Sequence, residues 1–524
     1  MTDNHKRWQA ARLQLTVLVC GAVVMALELA GSRVVAPFLG TSVFVWTSLI
    51  GVILAALSVG YTWGGRLADR RPEVALLGRI VLIAALLTGI LSVLQYPVLV
   101  VLSSLHLDLR LGTIVASAVL FAAPAVVLGM VAPFAVRLTL NDVEHSGQLV
   151  GRLYALSTVG SIIGTFLSGF LLIAYLGTRT LILVLALLLA LTSVLVAPSS
   201  DRITKFTVLL ALGLLILAGS AFEQRLTASG MRDFDTSYQR ALVLDMKDDS
   251  TGRIARALAT DPLGSQSIMF VDNPTELAAD YSKFYHLAFH FNPAAEHVLL
   301  LGGGAYSVPK DFIARYEQVT LDVVELDPGI TAIARELFFL SDDPRLSIYH
   351  EDARTFLNRS TTRYDAILVD VFASSPSVPF HLTTTEAVAA LHRALTQEGV
   401  LLMNVISGIE GEAGEFLRAT HRTLAEHFPQ VLLLPIREPN DGSQVQNLML
   451  VALKSSAFPS LSSADEMLEQ QLRHLWRTPI THDVPVLTDD FAPVEHYMLP
   501  VFLQMQRQQN SHRRFSPLEE NTSS

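Results

Sequence analysis

Residues 297–327, HVLLLGGGAYSVPKDFIARYEQVTLDVVELD, carry the side chains and spacings most able to do chemistry. An apolar run, 298–301, breaks into Gly302, Gly303 and Gly304. A helix-like segment follows, and a second apolar run, 319–324, ends on Glu325 and Asp327. Adjacent glycines let the backbone turn tightly and let a ligand approach without meeting a Cβ. A carboxylate about 20 residues farther on, at the next strand end, accepts hydrogen bonds from ribose hydroxyls. The combination predicts a nucleoside ligand. The pyrophosphate fingerprint G-x-G-x-x-G is not met, because Ala305, Tyr306, Ser307 and Val308 follow and Pro309 stands in the first helical turn. A ligand without pyrophosphate, such as an S-adenosyl sulfonium compound, fits better. The bland alternative is a glycine turn between two buried strands, and the placement of Glu325 argues against it.

Positioning such groups takes a layered domain. Beyond the glycine turn, strand-like runs at 346–350, 364–369, 400–405, 431–434 and 448–453 alternate with helix-like segments near 330–340, 385–396 and 412–427. This alternation argues a doubly wound, mostly parallel sheet, which binds ligands at the carboxyl ends of its strands. Three acids stand at such ends: Glu325, Asp352 in HEDAR and Asp370 in YDAILVD. One strand-end acid is often a helix cap, whereas three in successive units point to a shared site. Upstream, short strands at 238–245, 256–258 and 267–271 predict a small β unit. A helix over about 275–290 follows, with Tyr281 and Tyr285 on one face. His381 is placed either to touch a substrate or to hydrogen-bond a helix start. Asp489, Asp490 and Glu495 read first as solvated loop carboxylates.

The 524 residues leave room for two or three domains. Hydrophobic residues make up 51% against 16% charged, and the imbalance lies in the first 222 residues. Seven stretches there, 13–30, 43–63, 80–104, 112–136, 153–175, 180–197 and 206–222, read as transmembrane helices. The first is too long for a cleaved leader and stays as an anchor. Lys6, Arg7 and Arg12, then Arg66, Arg70, Arg71 and Arg79, then Arg137 and Arg152, then Arg202 and Lys205, occupy alternate connections and so face the cytoplasm. Seven crossings leave everything after 222 outside the cytoplasm, where S-adenosyl compounds are not expected. Six crossings, with the last run in the interface or one span re-entrant, keep it inside. Glu28 and Arg33 either line a pathway or, as the simpler account, pair locally. Gly151, Ser157, Gly160, Ser161, Gly164, Ser168 and Gly169 predict a closely packed helix. A net charge of −10 and a pI near 5.8 give no electrostatic reason for a nucleic-acid partner. The single cysteine, Cys20, forms no intramolecular disulfide, and no Cys or His cluster offers a metal site.

Residues 236–453 resemble the aminopropyltransferases, the spermidine synthase family, through TSYQRALVL, DYSKFYHLA, VLLLGGG, DVVELD, HEDARTFL and YDAILVD. The membrane half, in ELAGSRVVAPFLG, VWTSLIGVILAALSVGY and GRLYALSTVGSIIGTF, makes the whole chain similar to the membrane-fused branch, the fused MFS/spermidine synthase type. Residues 64–72, GGRLADRRP, look like the short cytoplasmic loop of major facilitator transporters. The resemblance implies that Glu325 binds ribose, that Asp352 with Ala353 holds the adenine side, and that Gly302, Gly303 and Gly304 face the aminopropyl or methionine arm. Asp370 matches the first Asp of the family's D-S-S-D loop, which deprotonates and orients the attacking amine. Tyr238, Gln239 and Tyr281 match residues lining the amine and nucleoside pockets. The departures are specific: GGGDGG is GGGAYS here, so Ala305 replaces the acid that grips the aminopropyl ammonium. The D-S-S-D loop is Asp370-Val371-Phe372-Ala373, and Ser282 stands where a Gln follows the Tyr.

The fold expected is an α-helical membrane bundle of about seven transmembrane helices followed by an α/β Rossmann-like, methyltransferase-type domain with a small N-terminal β unit. Its parts are a multi-pass domain over 1–222, a linker and small β unit with helix over 223–291, the aminopropyltransferase-type domain over 292–505 and a polar tail over 506–524. The function the resemblance implies is aminopropyl transfer from decarboxylated S-adenosylmethionine, a co-substrate, to an amine such as putrescine, with no further cofactor and no metal. The partners expected are those small molecules, the lipid bilayer of a cell membrane and a second copy of the chain. Two other readings stand beside it: an S-adenosylmethionine-dependent methyltransferase, favoured if Ala305 means there is no ammonium to hold, and a transporter-like or sensory membrane protein that binds a nucleoside or polyamine without turnover.

Overall fold

The structure, a computed structural model, describes residues 3–105, 107–140, 146–197, 202–228, 230–260, 266–371, 378–508 and 515–517. The chain forms two compact units, Met1–Ser229 and Gly230–Ser524.

Among the described residues of the first unit six helices are long and apolar enough to cross a membrane: Arg7–Leu39, Val43–Arg70, Val74–Leu102, Leu109–Thr139, Ser146–Leu176 and Thr178–Val196. The expected seventh run lies in helix Arg202–Ala228, whose apolar part Val208–Ala221 is shorter than the other six. A hydrocarbon layer of about 30 Å asks for about 20 residues. The expected linker from 223 is instead the end of that helix followed by a strand from Met231, because Glu223, Gln224, Arg225 and Leu226 are good helix formers. The middle of the small-residue stripe packs closely, while Gly151 and Gly169 at its ends are exposed. A Cβ on Gly160 or Gly164 would run into the carbonyls of Leu18 and Ala22, and the Ser161 hydroxyl donates to the Gly21 carbonyl at 3.2 Å. Outward, Phe166, Phe170, Tyr175 and Leu217 are exposed, a surface suited to hydrocarbon rather than water.

The second unit opens with strands β1 (Met231–Asp235), β2 (Arg240–Asp248), β3 (Ile254–Ala259) and β4 (Ser267–Phe270), antiparallel and in that spatial order. The expected helix over 275–290 is replaced by three short pieces, Asp280–Lys283, Phe284–His286 and Leu287–Phe291. Tertiary partners override the periodicity: Leu277 bridges to Met269, Glu276 pairs with Arg253, and Tyr285 and His286 are drawn to separate buried partners. The larger sheet then follows, with β5 (His297–Leu301), β6 (Thr320–Val324), β7 (Leu346–Tyr349), β8 (Tyr364–Val369), β9 (Leu395–Ser407), β10 (Gln430–Pro435) and β11 (Gln446–Leu453). Its order is β10-β11-β9-β8-β5-β6-β7, parallel from β9 to β7 and antiparallel at β10 and β11. Along β5, Leu299 and Leu301 face one core while Val298 and Leu300 face the other, so the strand is buried on both sides, as a continuous apolar run demands. From β5 the chain winds outward to β7 and then returns across β5 to β8. This reversal puts a topological switch point at the carboxyl ends of β5 and β8, the place where such sheets bind ligands.

Candidate active site at the carboxyl edge of the sheet

The glycine turn closes β5 and starts helix Ser307–Arg315. Gly302 and Gly304 have φ of +93° and +51°, which a side chain would strain. The space their missing Cβ atoms leave is filled by the chain itself, which revises the reason for the glycines. A Cβ on Gly302 would stand 2.5 Å from the Asp370 carbonyl, on Gly303 2.7 Å from the Tyr306 ring, and on Gly304 2.5 Å from Ser267 Oγ. Tyr306 is fully buried with φ of 54°, and its hydroxyl shares a 2.7 Å hydrogen bond with Thr331. What the turn offers a ligand is its backbone edge and the acid that grips it. Glu325, at the end of β6, accepts from the amides of Gly303 at 2.9 Å, Gly304 at 3.3 Å and Asp327 at 2.9 Å. Burial pushes the Glu325 carboxyl above its ordinary pKa, against the pull of those three amides. Asp327 caps helix Pro328–Leu337 through the Gly329 amide and accepts from the buried Thr236 hydroxyl. Thr236 in turn pairs with the Gln239 backbone, so the turn before β2 is held against β6. Tyr238 lies on that turn with 52% of its surface exposed, and Gln239 is half-buried.

Asp352, beyond β7, caps helix Ala353–Arg359 by accepting from the Thr355 amide at 2.8 Å, and Ala353 is buried beside it. Its second oxygen accepts from His381 Nε2 at 3.2 Å. Burial pushes this carboxyl up, but the Thr355 bonds and His381 outweigh it and leave Asp352 below its ordinary pKa. Arg354 locks the surroundings: it donates to the His381 carbonyl at 2.9 Å, to Thr384 at 3.2 Å and to Asp489 at 3.0 Å. Asp489, with 47% of its side chain exposed, is thus a solvated loop carboxylate, as expected, that also serves a clamp.

Asp370 stands at the end of β8, half-buried. Tyr281 donates to one of its oxygens at 3.2 Å and Asn404 Nδ2 to the other at 3.1 Å. Tyr285 donates to the adjoining Val369 carbonyl at 3.1 Å, and the two tyrosine rings meet edge to face with centroids 6.4 Å apart. Burial raises the Asp370 pKa, and the bonds from Asn404 and Tyr281 oppose it. Burial and then the Asp370 charge hold both tyrosines well above their ordinary values, so they remain donors. Ser282 turns away and donates to the Ala279 carbonyl at 2.7 Å. Ala305 is fully buried among Ala241, Val243, Leu258 and Met269, where a carboxylate would be starved of water. Phe372 and Ala373 lie outside the described residues.

Along one edge, then, run Asp370, the glycine turn, Glu325 and Asp352, each carboxylate engaged by its own partners. The sequence reading missed Asn404, Asn447 and Thr236 and left Tyr285 as packing. Asn404 had a signal, since a lone amide inside the apolar strand VLLMNVIS must find a hydrogen-bond partner.

The model of the spermine/spermidine synthase domain matches residues 279–437. The polyamine aminopropyltransferase of Vibrio vulnificus is 28% identical over 224 residues, 39% of this chain and 70% of that protein. That of Clostridium beijerinckii is 28% identical over 200 residues, 37% of this chain and 66% of that protein. That of Alkaliphilus metalliredigens is 31% identical over 153 residues, 28% of this chain and 52% of that protein. Among solved structures, a probable spermidine synthase from Corynebacterium glutamicum aligns with a TM-score of 0.40 and 23% identity, covering 46% of this chain and 86% of its own.

Proposed function

We propose that the chain is a membrane-bound aminopropyltransferase that moves the aminopropyl group of decarboxylated S-adenosylmethionine to an amine. The observation that carries this reading is the setting of Asp370: a carboxylate with a raised pKa at the switch point of the sheet, beside the glycine turn and Glu325. Support comes from the synthase-domain match, which spans Tyr281, the glycines, Glu325, Asp352, Asp370 and Asn404.

The chemistry asks for little else. An ammonium has no lone pair, so the acceptor nitrogen must be neutral when it attacks the carbon next to the sulfonium. A C–N bond forms, the C–S bond breaks, and its electron pair neutralises the sulfonium to the thioether methylthioadenosine. Asp370 takes the proton the nitrogen loses and passes it to solvent. Tyr281 and Asn404 hold the carboxylate in place, and alignment of nitrogen, carbon and sulfur supplies much of the rate. No step calls for a metal or further cofactor. Glu325 takes the ribose hydroxyls, Asp352 the adenine side once His381 yields, and Tyr238 and Gln239 border the entrance. The bundle, with six crossings, keeps this unit on the cytoplasmic side with the donor. The buried Ala305 favours a second reading, an S-adenosylmethionine-dependent methyltransferase, because no acid there grips an aminopropyl ammonium.

Calorimetry of the full chain in detergent separates the two. Tighter binding of decarboxylated than of ordinary S-adenosylmethionine is the expected result. The reverse preference supports methyl transfer, and binding of neither overturns both.

A further inference from the structure

Asn447 lies on β11, diagonal to Asn404 on β9 and on the same face of the sheet, since its register partner is Ile406. It does not touch Asp370. Its Nδ2 donates to Asn404 Oδ1 at 3.0 Å, and Asn404 Nδ2 donates to Asp370 Oδ1 at 3.1 Å. The direction of this relay is fixed by its end: an ionised carboxylate only accepts, so Asn404 must turn its amide nitrogen to Asp370 and its oxygen to β11, where a donor is required. Asn404 is buried, with 4% of its surface exposed, which favours these two protein partners.

We propose that Asn447 is a positioning residue that sets the polarity of Asn404 and thereby keeps Asp370 ionised for proton uptake. The inference rests on Asp370 being the base of the proposed reaction. Among the described residues, the ionisable groups acting on Asp370 are Tyr281 and Tyr285, from the segment 280–286. β9 and β11 bring the two amides, and the glycine turn brings backbone. With both tyrosines neutral, Asn404 is the donor whose reversal changes the balance most.

Asn447→Asp tests this with almost no change of shape. Its carboxylate accepts, Asn404 turns over, and an amide oxygen meets Asp370. The readout is infrared titration of the full chain in detergent, with the Asp370 carboxyl band assigned by its loss in Asp370→Asn. The expected result is a rise in Asp370 proton affinity of about tenfold, the weight of one hydrogen bond to a charged group. Asn447→Ala, which only frees Asn404, shifts it less in the same direction and serves if the aspartate variant fails to fold. In an Asn404→Ala background Asn447→Asp should shift Asp370 little. An unchanged titration overturns the proposal, and so does an equal shift without Asn404, which would be direct repulsion between carboxylates. The acid limb of the pH–rate profile should move with the band. A wild-type chain that transfers nothing sinks the aminopropyl reading, while the infrared titration still decides the relay.

Discussion

At Asp370 burial and hydrogen bonding pull in opposite directions, and burial wins. A base works only when deprotonated, so activity falls as pH drops through a pKa lying above the ordinary carboxylate value. The pH–rate profile of the wild type should therefore show an acid limb higher than a free Asp predicts; a limb at or below the ordinary value contradicts the assignment. Glu325 is different in kind, since its carboxylate serves the turn before any ligand arrives. Glu325→Gln aims an amide donor at one of three backbone N–H groups, and leaving one unpaired costs about 1–3 kcal/mol. Denaturant melts of the full chain should register that loss in the absence of substrate, whereas a purely ligand-facing acid would show none.

Gly303 and Tyr306 show how an element is built around one residue. The buried ring occupies the place of the Gly303 side chain, so Gly303→Ala overpacks it and should destabilise by about 1–3 kcal/mol. In a Tyr306→Leu background the same change should cost less, and a double-mutant cycle with no coupling refutes that account. The strand-glycine-strand pattern, the three strand-end acids and the mostly parallel character of the sheet were legible because each repeats a period or a turn that local chemistry dictates, whereas the spatial order of the strands was not. The broken helix at 280–291 was not, since Tyr281, Tyr285 and His286 answer to partners between 25 and about 90 residues away along the chain, which no local window contains. Asn447 was equally hidden, for its role depends on an antiparallel register. Asp489 was read alone and Arg354 not at all, yet together with Thr384 they fasten the residues around His381 to the helix capped by Asp352. Asp489→Ala should loosen that clamp and weaken nucleoside binding while sparing the proton step, a rise in KM with kcat held; a fall in kcat alone would place Asp489 elsewhere in the mechanism.

For the whole molecule, the proposed function requires the apolar unit and the proposed catalytic unit to agree on a side of the membrane. On the proposed reading, in which the basic connections mark the cytoplasmic side and the six apolar helices cross, the N-terminus and the second unit both face the cytoplasm. A reporter fused at the C-terminus should be active on the cytoplasmic side, and activity only outside would separate the site from its donor. The reaction itself gives the most direct test. The purified full chain, supplied with decarboxylated S-adenosylmethionine and putrescine, should release methylthioadenosine together with an aminopropylated amine, and Asp370→Asn should cut that rate by about 10²- to 10⁴-fold. Product formed equally well by Asp370→Asn, or none formed by a wild type that binds the donor, contradicts the account.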